Sequence, residues 1–210
     1  MNQILNTTLK RKIFFTKNIF LKIQLTFSIF VTIIVIIVFI FYYISAKQKE
    51  KLSLAIVDNY NIYRLYSNNI HYTTSIETTN NSIFGIIEIP KIDIYYPIFS
   101  NLDEKLLQIS PCKFYGNSLT ECDNICIAGH NYNNSMFFSN LSKMDYNDKI
   151  YLYDNSGKKY VYSVTDIYEV KSNDLSPVLN YDNRYNNLTL ITCNNLNLNR
   201  LVVKSKQESS

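Results

Sequence analysis

One segment constrains the fold of this chain more than any other: Ile23 to Ile44 contains no charged residue. A helix of that length, at about 1.5 Å per residue, crosses a hydrocarbon core of about 30 Å. Five basic residues and no acidic one precede it, namely Lys10, Arg11, Lys12, Lys17 and Lys22. By the positive-inside rule, the N-terminus is cytoplasmic and everything after Ser45 is extracellular. The sequence therefore predicts a single-pass protein of the cell membrane.

The same segment has an alternative interpretation as a cleaved signal peptide. The apolar core of a signal peptide spans about 7 to 15 residues, which is shorter than this run. The residues that follow, Tyr42 to Lys47, also offer only a poor small-x-small cleavage site. We therefore expect the helix to be retained as an anchor.

The residues beyond the predicted span divide into a helical part, a linker and a folded domain. Apolar side chains recur at helical spacing between Lys47 and Ile70, which predicts an amphipathic helix, and a Ser, Thr and Asn-rich stretch then predicts a linker up to Ser82. The predicted division is a basic segment 1–22, a membrane helix 23–44, an extracellular helix and linker 45–82, a folded domain 83–206 and a tail 207–210.

Short β-rich runs dominate the folded domain. Strands are predicted at Phe84–Pro90, Ile92–Ile98, Asn124–Gly129, Lys149–Asp154, Lys159–Val170, Asn187–Cys193 and Leu201–Lys204, with helical turns at Asp103–Ile109 and Ser135–Met144. Asp154 to Gly157 reads as a hairpin turn. Many short strands without a βαβ rhythm favour a mainly all-β fold, a closed or nearly closed barrel with short helices.

The charge distribution argues against nucleic acid as a partner. The net charge is +4, and the basic segment before the span exceeds that value by itself. The remaining chain is near neutral, whereas a nucleic-acid interface needs a basic stripe on the folded part. We expect no nucleic-acid partner.

Four cysteines in an exported chain raise the question of disulfides. Cys193 stands apart at the end of a predicted strand, which leaves Cys112, Cys122 and Cys126. A Cys122–Cys126 or Cys112–Cys122 pair is possible, but Cys126 lies in a strand that we expect to be buried, where a free cysteine behaves as a small hydrophobe. The favoured interpretation is three free thiols.

No residue pattern indicates a metal or another cofactor. The cysteine and histidine spacings match no zinc site. Four carboxylates, at Glu121, Asp123, Asp166 and Glu169, could in principle bind calcium, but a solvated acidic rim is the better interpretation. We expect neither a metal nor a cofactor.

The candidate nucleophile is the thiol that ends the apolar run Leu188-Thr-Leu-Ile-Thr-Cys193. Arg200 opens a second β-branched run seven residues later. Adjacent strands lie about 4.8 Å apart, so the end of one strand and the start of the next can face the same groove. A cation beside a cysteine favours the thiolate, which is the reactive form.

The candidate base is His130, which ends the run Ile125-Cys-Ile-Ala-Gly-His-Asn131. The other histidine, His71, lies in the predicted linker and is expected to be an exposed side chain. An imidazole near the thiol can support thiolate formation and then give its proton to a departing amine. Arg200 can donate hydrogen bonds to an oxyanion or hold a peptide backbone, and Thr192 can line the same pocket.

These motifs together resemble the sortases, the cysteine transpeptidases that attach proteins to Gram-positive cell walls. The resemblance covers roughly Ser82 to Lys206. It implies a closed eight-stranded barrel with His130 after the fourth strand, Cys193 ending the seventh and Arg200 in the eighth. It also implies Ala128 and Thr192 as substrate-binding residues. The short interval from His130 to Cys193 and the lack of a second span favour a compact class A or class D type.

The activity implied by the resemblance has two halves. Cys193 would cleave the Thr–Gly bond of an LPxTG-like sorting signal at the C-terminus of a secreted protein, and the thioester would pass to an amine of a peptidoglycan precursor. Two other interpretations stay open. One is a hydrolytic thiol peptidase of the cell surface, and the other is a non-catalytic membrane-tethered β-domain.

Overall fold

The first element of the computed structural model is one long helix, α1, from Asn2 to Ser67. The structure describes residues 2–67, 83–117, 119–120, 123–132, 135–194 and 198–208. Within α1, the part from Phe20 to Asp58 is long and apolar enough to cross a membrane, by length and composition. The predicted span and the predicted amphipathic helix therefore belong to one helix without a break. The predicted linker with His71 lies outside the described residues.

Eight strands form a closed barrel, as predicted from the sequence. Their order around the barrel is β1-β2-β3-β4-β7-β8-β6-β5, and β5 pairs with β1 to close it. The strands are β1 Ile83–Ile89, β2 Ile94–Phe99, β3 Cys112–Tyr115, β4 Asn124–Ala128, β5 Lys149–Tyr153, β6 Lys159–Val170, β7 Asn187–Cys193 and β8 Arg200–Gln207.

Short helical segments join some of these strands. The α-helical ones are α2, Glu104–Leu107, and α3, Ser176–Leu179. Two 3-10 turns cover Pro90–Ile92 and Leu141–Lys143. Asp103 begins α2 because its carboxylate accepts hydrogen bonds from the backbone N–H groups of Lys105 and Leu106.

The strand pairings bring distant parts of the sequence to one rim of the barrel. β4 and β7 run parallel, with Ala128 opposite Ile191, whereas β7 and β8 run antiparallel, with Cys193 opposite Arg200. The residues that follow β4 and the end of β7 therefore lie side by side. That rim carries the three predicted catalytic residues.

Buried aliphatic and aromatic side chains fill the barrel. Residues such as Ile87, Ile127, Leu190, Val203 and Tyr162 are completely buried. Each buried side chain of this size stabilises the fold by about 1.5 to 3 kcal/mol relative to an exposed one. Along the first half of β6, buried residues alternate with partly exposed ones, so one face of this strand contributes to the core.

The sequence-based boundaries are confirmed for β6 and β7 and differ elsewhere for local reasons. The predicted second strand begins only at Ile94 because a 3-10 turn occupies Pro90–Ile92 and Asp93 adopts a left-handed φ of 56°. β8 runs to Gln207 rather than Lys204. The strand β3 was not predicted, since it has only four residues and its register with β4 is irregular.

Two further turns were predicted from the sequence, at Asp154–Gly157 and at Ser135–Met144. The hairpin turn at Asp154 is confirmed, because Gly157 N–H donates to the Asp154 carbonyl at 2.8 Å and Gly157 has a φ of 83°. Within the predicted helical turn Ser135–Met144, only Leu141–Lys143 is helical. The carbonyl of His130 accepts from Phe138 N–H at 3.1 Å and fixes the chain between them.

The compact unit that contains the barrel begins within α1, at Lys49, and the preceding residues form a separate unit. Ile56 packs on the buried side chains of Phe99, Leu106 and Cys112. Ser53 is completely buried, and its hydroxyl donates to the Ser110 hydroxyl at 3.3 Å. The segment of α1 around Ser53 and Ile56 is therefore packed on the domain that contains the barrel.

Val57 provides a test of this packing, because it is only 2% exposed. Val57→Asp places an unpaired carboxylate in that buried position and should lower the free energy of unfolding by about 3 kcal/mol. The matched control is Leu54→Asp, since Leu54 is 44% exposed on the same helix. Urea unfolding of the full chain in detergent measures both. Equal losses in the two variants would contradict the packing.

Candidate active site

The candidate nucleophile and the candidate cation are in direct contact. Cys193 ends β7 and Arg200 begins β8, and the two residues face each other across the antiparallel pair. Arg200 Nη1 donates to Cys193 Sγ at 2.5 Å. Both side chains are half-buried. The predicted proximity of these two residues is confirmed.

His130 lies at the same rim, two residues after the end of β4. Because Ala128 is opposite Ile191, the chain that leaves β4 toward His130 runs beside the chain that reaches Cys193. His130 is half-buried, and its ring lies 4.9 Å from the ring of Tyr132. Burial lowers the pKa of His130, the Lys49 ammonium lowers it further, and the Glu104 carboxylate acts in the opposite direction.

Three hydrogen bonds tie the turn that carries His130 to the end of β7. Gly129 N–H donates to the Ile191 carbonyl at 3.1 Å, and the Thr192 hydroxyl donates to the Gly129 carbonyl at 2.8 Å. The third donor is Asn131 Nδ2, which lies 3.0 Å from the Cys193 carbonyl. The relative position of His130 and Cys193 is therefore fixed from both sides of the histidine.

Two of these residues have roles that the sequence analysis did not describe. Thr192 is 3% exposed and is directed at the Gly129 carbonyl. Asn131 was quoted only as part of a motif, although its place directly after His130 was a usable signal. Ala128, the other predicted substrate-binding residue, is half-buried opposite Ile191.

Gly129 is required by close packing against an aromatic ring. A Cβ atom at this position would lie 2.7 Å from Cδ2 of Phe138, which is completely buried. Such a contact is shorter than real Cβ atoms show, so the ring or the turn would have to move. The glycine lets the chain turn directly over Phe138 and present His130 at the rim.

The remaining described cysteines have a different environment from Cys193. Cys112 and Cys126 are buried free thiols, as predicted. Burial raises the pKa of Cys112 to about 11 and that of Cys126 to about 12, so both stay protonated at neutral pH. Cys122 lies outside the described residues. Among the described thiols, Cys193 alone is half-exposed.

The carboxylates that were considered for calcium serve other contacts. Asp123 accepts hydrogen bonds from the backbone N–H groups of Asn117 and Asn124. Glu169 accepts from the side chains of Asn194 and Asn199. Glu121 lies outside the described residues. Within the described part of the chain, no three His, Cys, Asp or Glu side chains are grouped to hold a metal ion.

Comparison with known proteins agrees with this geometry. The family model of the sortase domain matches residues 87–208, which is more than half of the chain. Sortase A of Bacillus anthracis is 33% identical over 112 residues, covering 53% of this chain and 52% of that protein. The chain thus spans about half the length of this curated relative.

Solved structures show the same fold. A lid mutant of sortase A from Corynebacterium diphtheriae matches with a TM-score of 0.57 and 26% identity, covering 64% of this chain and 75% of that one. Sortase C of Clostridium perfringens, solved with the C-terminal cell wall sorting motif, has a TM-score of 0.56 and 22% identity, covering 75% and 88%. The chain belongs to the sortase family of cysteine transpeptidases.

Proposed function

We propose that this chain is a membrane-anchored sortase that cleaves an LPxTG-like sorting signal between Thr and Gly and transfers the protein to an amine. The observation that carries the proposal is the contact between Arg200 Nη1 and Cys193 Sγ, beside a histidine turn bonded to the same strand end. A cation at this distance stabilises a thiolate, and a half-exposed thiolate is a competent nucleophile.

In the first half of the reaction, the Cys193 thiolate attacks the carbonyl carbon of the threonine. A carbon–sulfur bond forms, and the carbonyl oxygen becomes an oxyanion. The C–N bond then breaks, the glycine amine leaves with a proton from protonated His130, and a thioester remains on Sγ.

In the second half, an amino group attacks the thioester. Neutral His130 accepts a proton from the attacking amine, a new amide bond forms, and the Cys193 thiolate leaves. The favoured acceptor is an amine of a peptidoglycan precursor, and a compact class A or class D type remains the proposed subclass. If water attacks instead, the same residues give a hydrolytic thiol peptidase.

Arg200 is proposed to serve both halves. Its guanidinium has several donors in a planar fork, so one N–H can stay on sulfur while another reaches an oxyanion or a substrate carbonyl. Ala128 is proposed to line the substrate groove, since it is half-buried on β4 beside the strand of Cys193. Thr192 is proposed to support the site through its bond to Gly129 rather than through the substrate.

The proposed location is the outer face of the cell membrane. The apolar part of α1 supplies one candidate span, and five basic residues precede it in the sequence. By the positive-inside rule, this arrangement puts the N-terminus in the cytoplasm and the barrel outside. Secreted proteins with a sorting signal and cell-wall precursors would meet the enzyme there.

Thioester trapping tests the proposed nucleophile and base. The full chain in detergent, mixed with an LPxTG-type peptide, should gain the mass of the acyl fragment at Cys193 and none at Cys112 or Cys126. Cys193→Ala should abolish labelling and cleavage. His130→Ala should lower turnover by about 10² to 10⁴ because the proton donor is lost. His71→Ala is the matched control, and an equal loss there would refute the assignment of the base.

The role of Arg200 is tested with Arg200→Lys. Lysine keeps the charge but loses the planar fork, so a directed donor to the oxyanion predicts a loss of about 10² to 10³ in the acylation rate. The measurement is single-turnover acylation of Cys193 by a matched peptide. If the lysine variant acylates within about threefold of wild type, far from the effect of losing an oxyanion donor, charge alone accounts for the role.

The electrostatic surroundings of His130 give a pH test. Removing the Lys49 charge by Lys49→Met should raise the pKa of His130, so the protonated fraction persists to higher pH. Glu104→Gln removes the opposing charge and should lower the pKa. An NMR titration of the imidazole Cε1–H follows both changes, and His130→Gln assigns the signal. Shifts in the same direction for both variants would exclude this electrostatic account.

A further inference from the structure

We propose that the Glu169 carboxylate is a positioning residue for the reaction, because it holds the two asparagines that adjoin Cys193 and Arg200. The inference rests on the proposed function for its kinetic consequence and on geometry alone for the contact. Glu169 touches neither sulfur nor guanidinium in the hydrogen bonds described for it, and its action would pass through Asn194 and Asn199.

The two oxygens of this carboxylate are bound on opposite sides of one chain reversal. Glu169 Oε1 accepts from Asn194 Nδ2, and Glu169 Oε2 accepts from Asn199 Nδ2 at 3.3 Å. Asn194 N–H also donates to the Asn199 carbonyl at 2.8 Å. One side chain of β6 therefore connects the first residue after β7 with the last residue before β8.

These asparagines are the immediate neighbours of the two reactive groups. Asn194 follows Cys193 and Asn199 precedes Arg200, and the latter two are directly paired. A shift of either asparagine changes the backbone on which the sulfur or the guanidinium is carried. The carboxylate thus acts at the point where the separation of Cys193 and Arg200 is most easily altered.

The chemistry of the contact requires acceptor atoms at position 169. Both partners present amide N–H donors, and an ionised carboxylate has only acceptors. A methionine at position 169 keeps the length of the side chain but offers these amides no comparable acceptor, so both bonds are lost. A glutamine can keep both bonds, because its oxygen accepts from one asparagine and its NH2 group donates to the other once that side-chain amide turns over.

The exposure of Glu169 separates a positioning role from a stabilising one. Glu169 is solvent-exposed, and a hydrogen bond that competes with water contributes about 0.5 to 1.5 kcal/mol to folding. A misplacement of about 1 Å at a reacting group can cost about 10²-fold in rate. Loss of the contact should therefore appear in the reactivity of Cys193 much more than in the melting temperature.

The experiment uses the full chain in detergent and two readouts. The first is the rate of Cys193 alkylation by iodoacetamide at pH 7 without peptide, which depends on thiolate stabilisation by Arg200. The second is single-turnover acylation by an LPxTG-type peptide. For Glu169→Met we expect alkylation to fall toward the rate of Arg200→Ala and acylation to fall about tenfold, with KM within about twofold.

Two further variants distinguish the loss of these hydrogen bonds from the loss of a negative charge. Asp166→Asn removes a carboxylate from the same strand and should leave both rates unchanged. Glu169→Gln is the rescue, because it removes the charge but can still bond to both asparagine amides. We expect this conservative variant to keep most of the alkylation rate.

Three results would contradict the positioning role of Glu169. Wild-type alkylation in Glu169→Met, or an equal loss in Asp166→Asn, would overturn the positioning role. A loss in Glu169→Gln as large as that in Glu169→Met would also overturn it. Since alkylation needs no peptide, a failure of LPxTG-type peptides to acylate even the wild type would reject the proposed function while leaving the test of Glu169 intact.

Discussion

The parallel pairing of β4 with β7 is the constraint on which the candidate site depends. Parallel strands cannot be joined by a tight turn and need a long crossover, and here the crossover contains β5, β6 and α3. Because the strands are parallel, both end at the same rim of the barrel. His130 and Cys193 therefore lie at one rim although they are far apart in the sequence. The antiparallel return of β8 then adds Arg200 without any further connection.

The hydrogen bonds around this rim differ in how deeply they are buried. The Thr192 hydroxyl is buried on the Gly129 carbonyl, so its loss would leave a buried acceptor unsatisfied. Asn131 is half-buried, and Glu169 is exposed. The inner contact therefore contributes mainly to folding, whereas the outer ones can change with little effect on stability. Both kinds act on the same strand end.

Apolar and β-branched residues were sufficient to predict the long strands, because β6 alternates buried and partly exposed residues in its first half and β7 is an almost wholly buried run. β3 was missed, since four residues carry too little pattern and only their pairing with β4 makes them a strand. Cys193, His130 and Arg200 could be proposed from the sequence because each has distinctive chemistry at the end of a strand. Asn131 and Glu169 could not be proposed in this way. The role of an asparagine or a glutamate depends on which strands lie beside it, and the strand register is not visible in the sequence.

The different burial of the cysteine thiols determines which of them an oxidant can reach. Of the thiols that the structure describes, Cys112 and Cys126 are free and buried inside the packed domain, while Cys193 is half-exposed and lies against a guanidinium. Peroxide reacts with accessible thiolates and converts them first to a sulfenic acid, which thiols can reduce again. Mild oxidants would therefore reach the proposed nucleophile Cys193 first and block it reversibly, while Cys112 and Cys126 are shielded by burial.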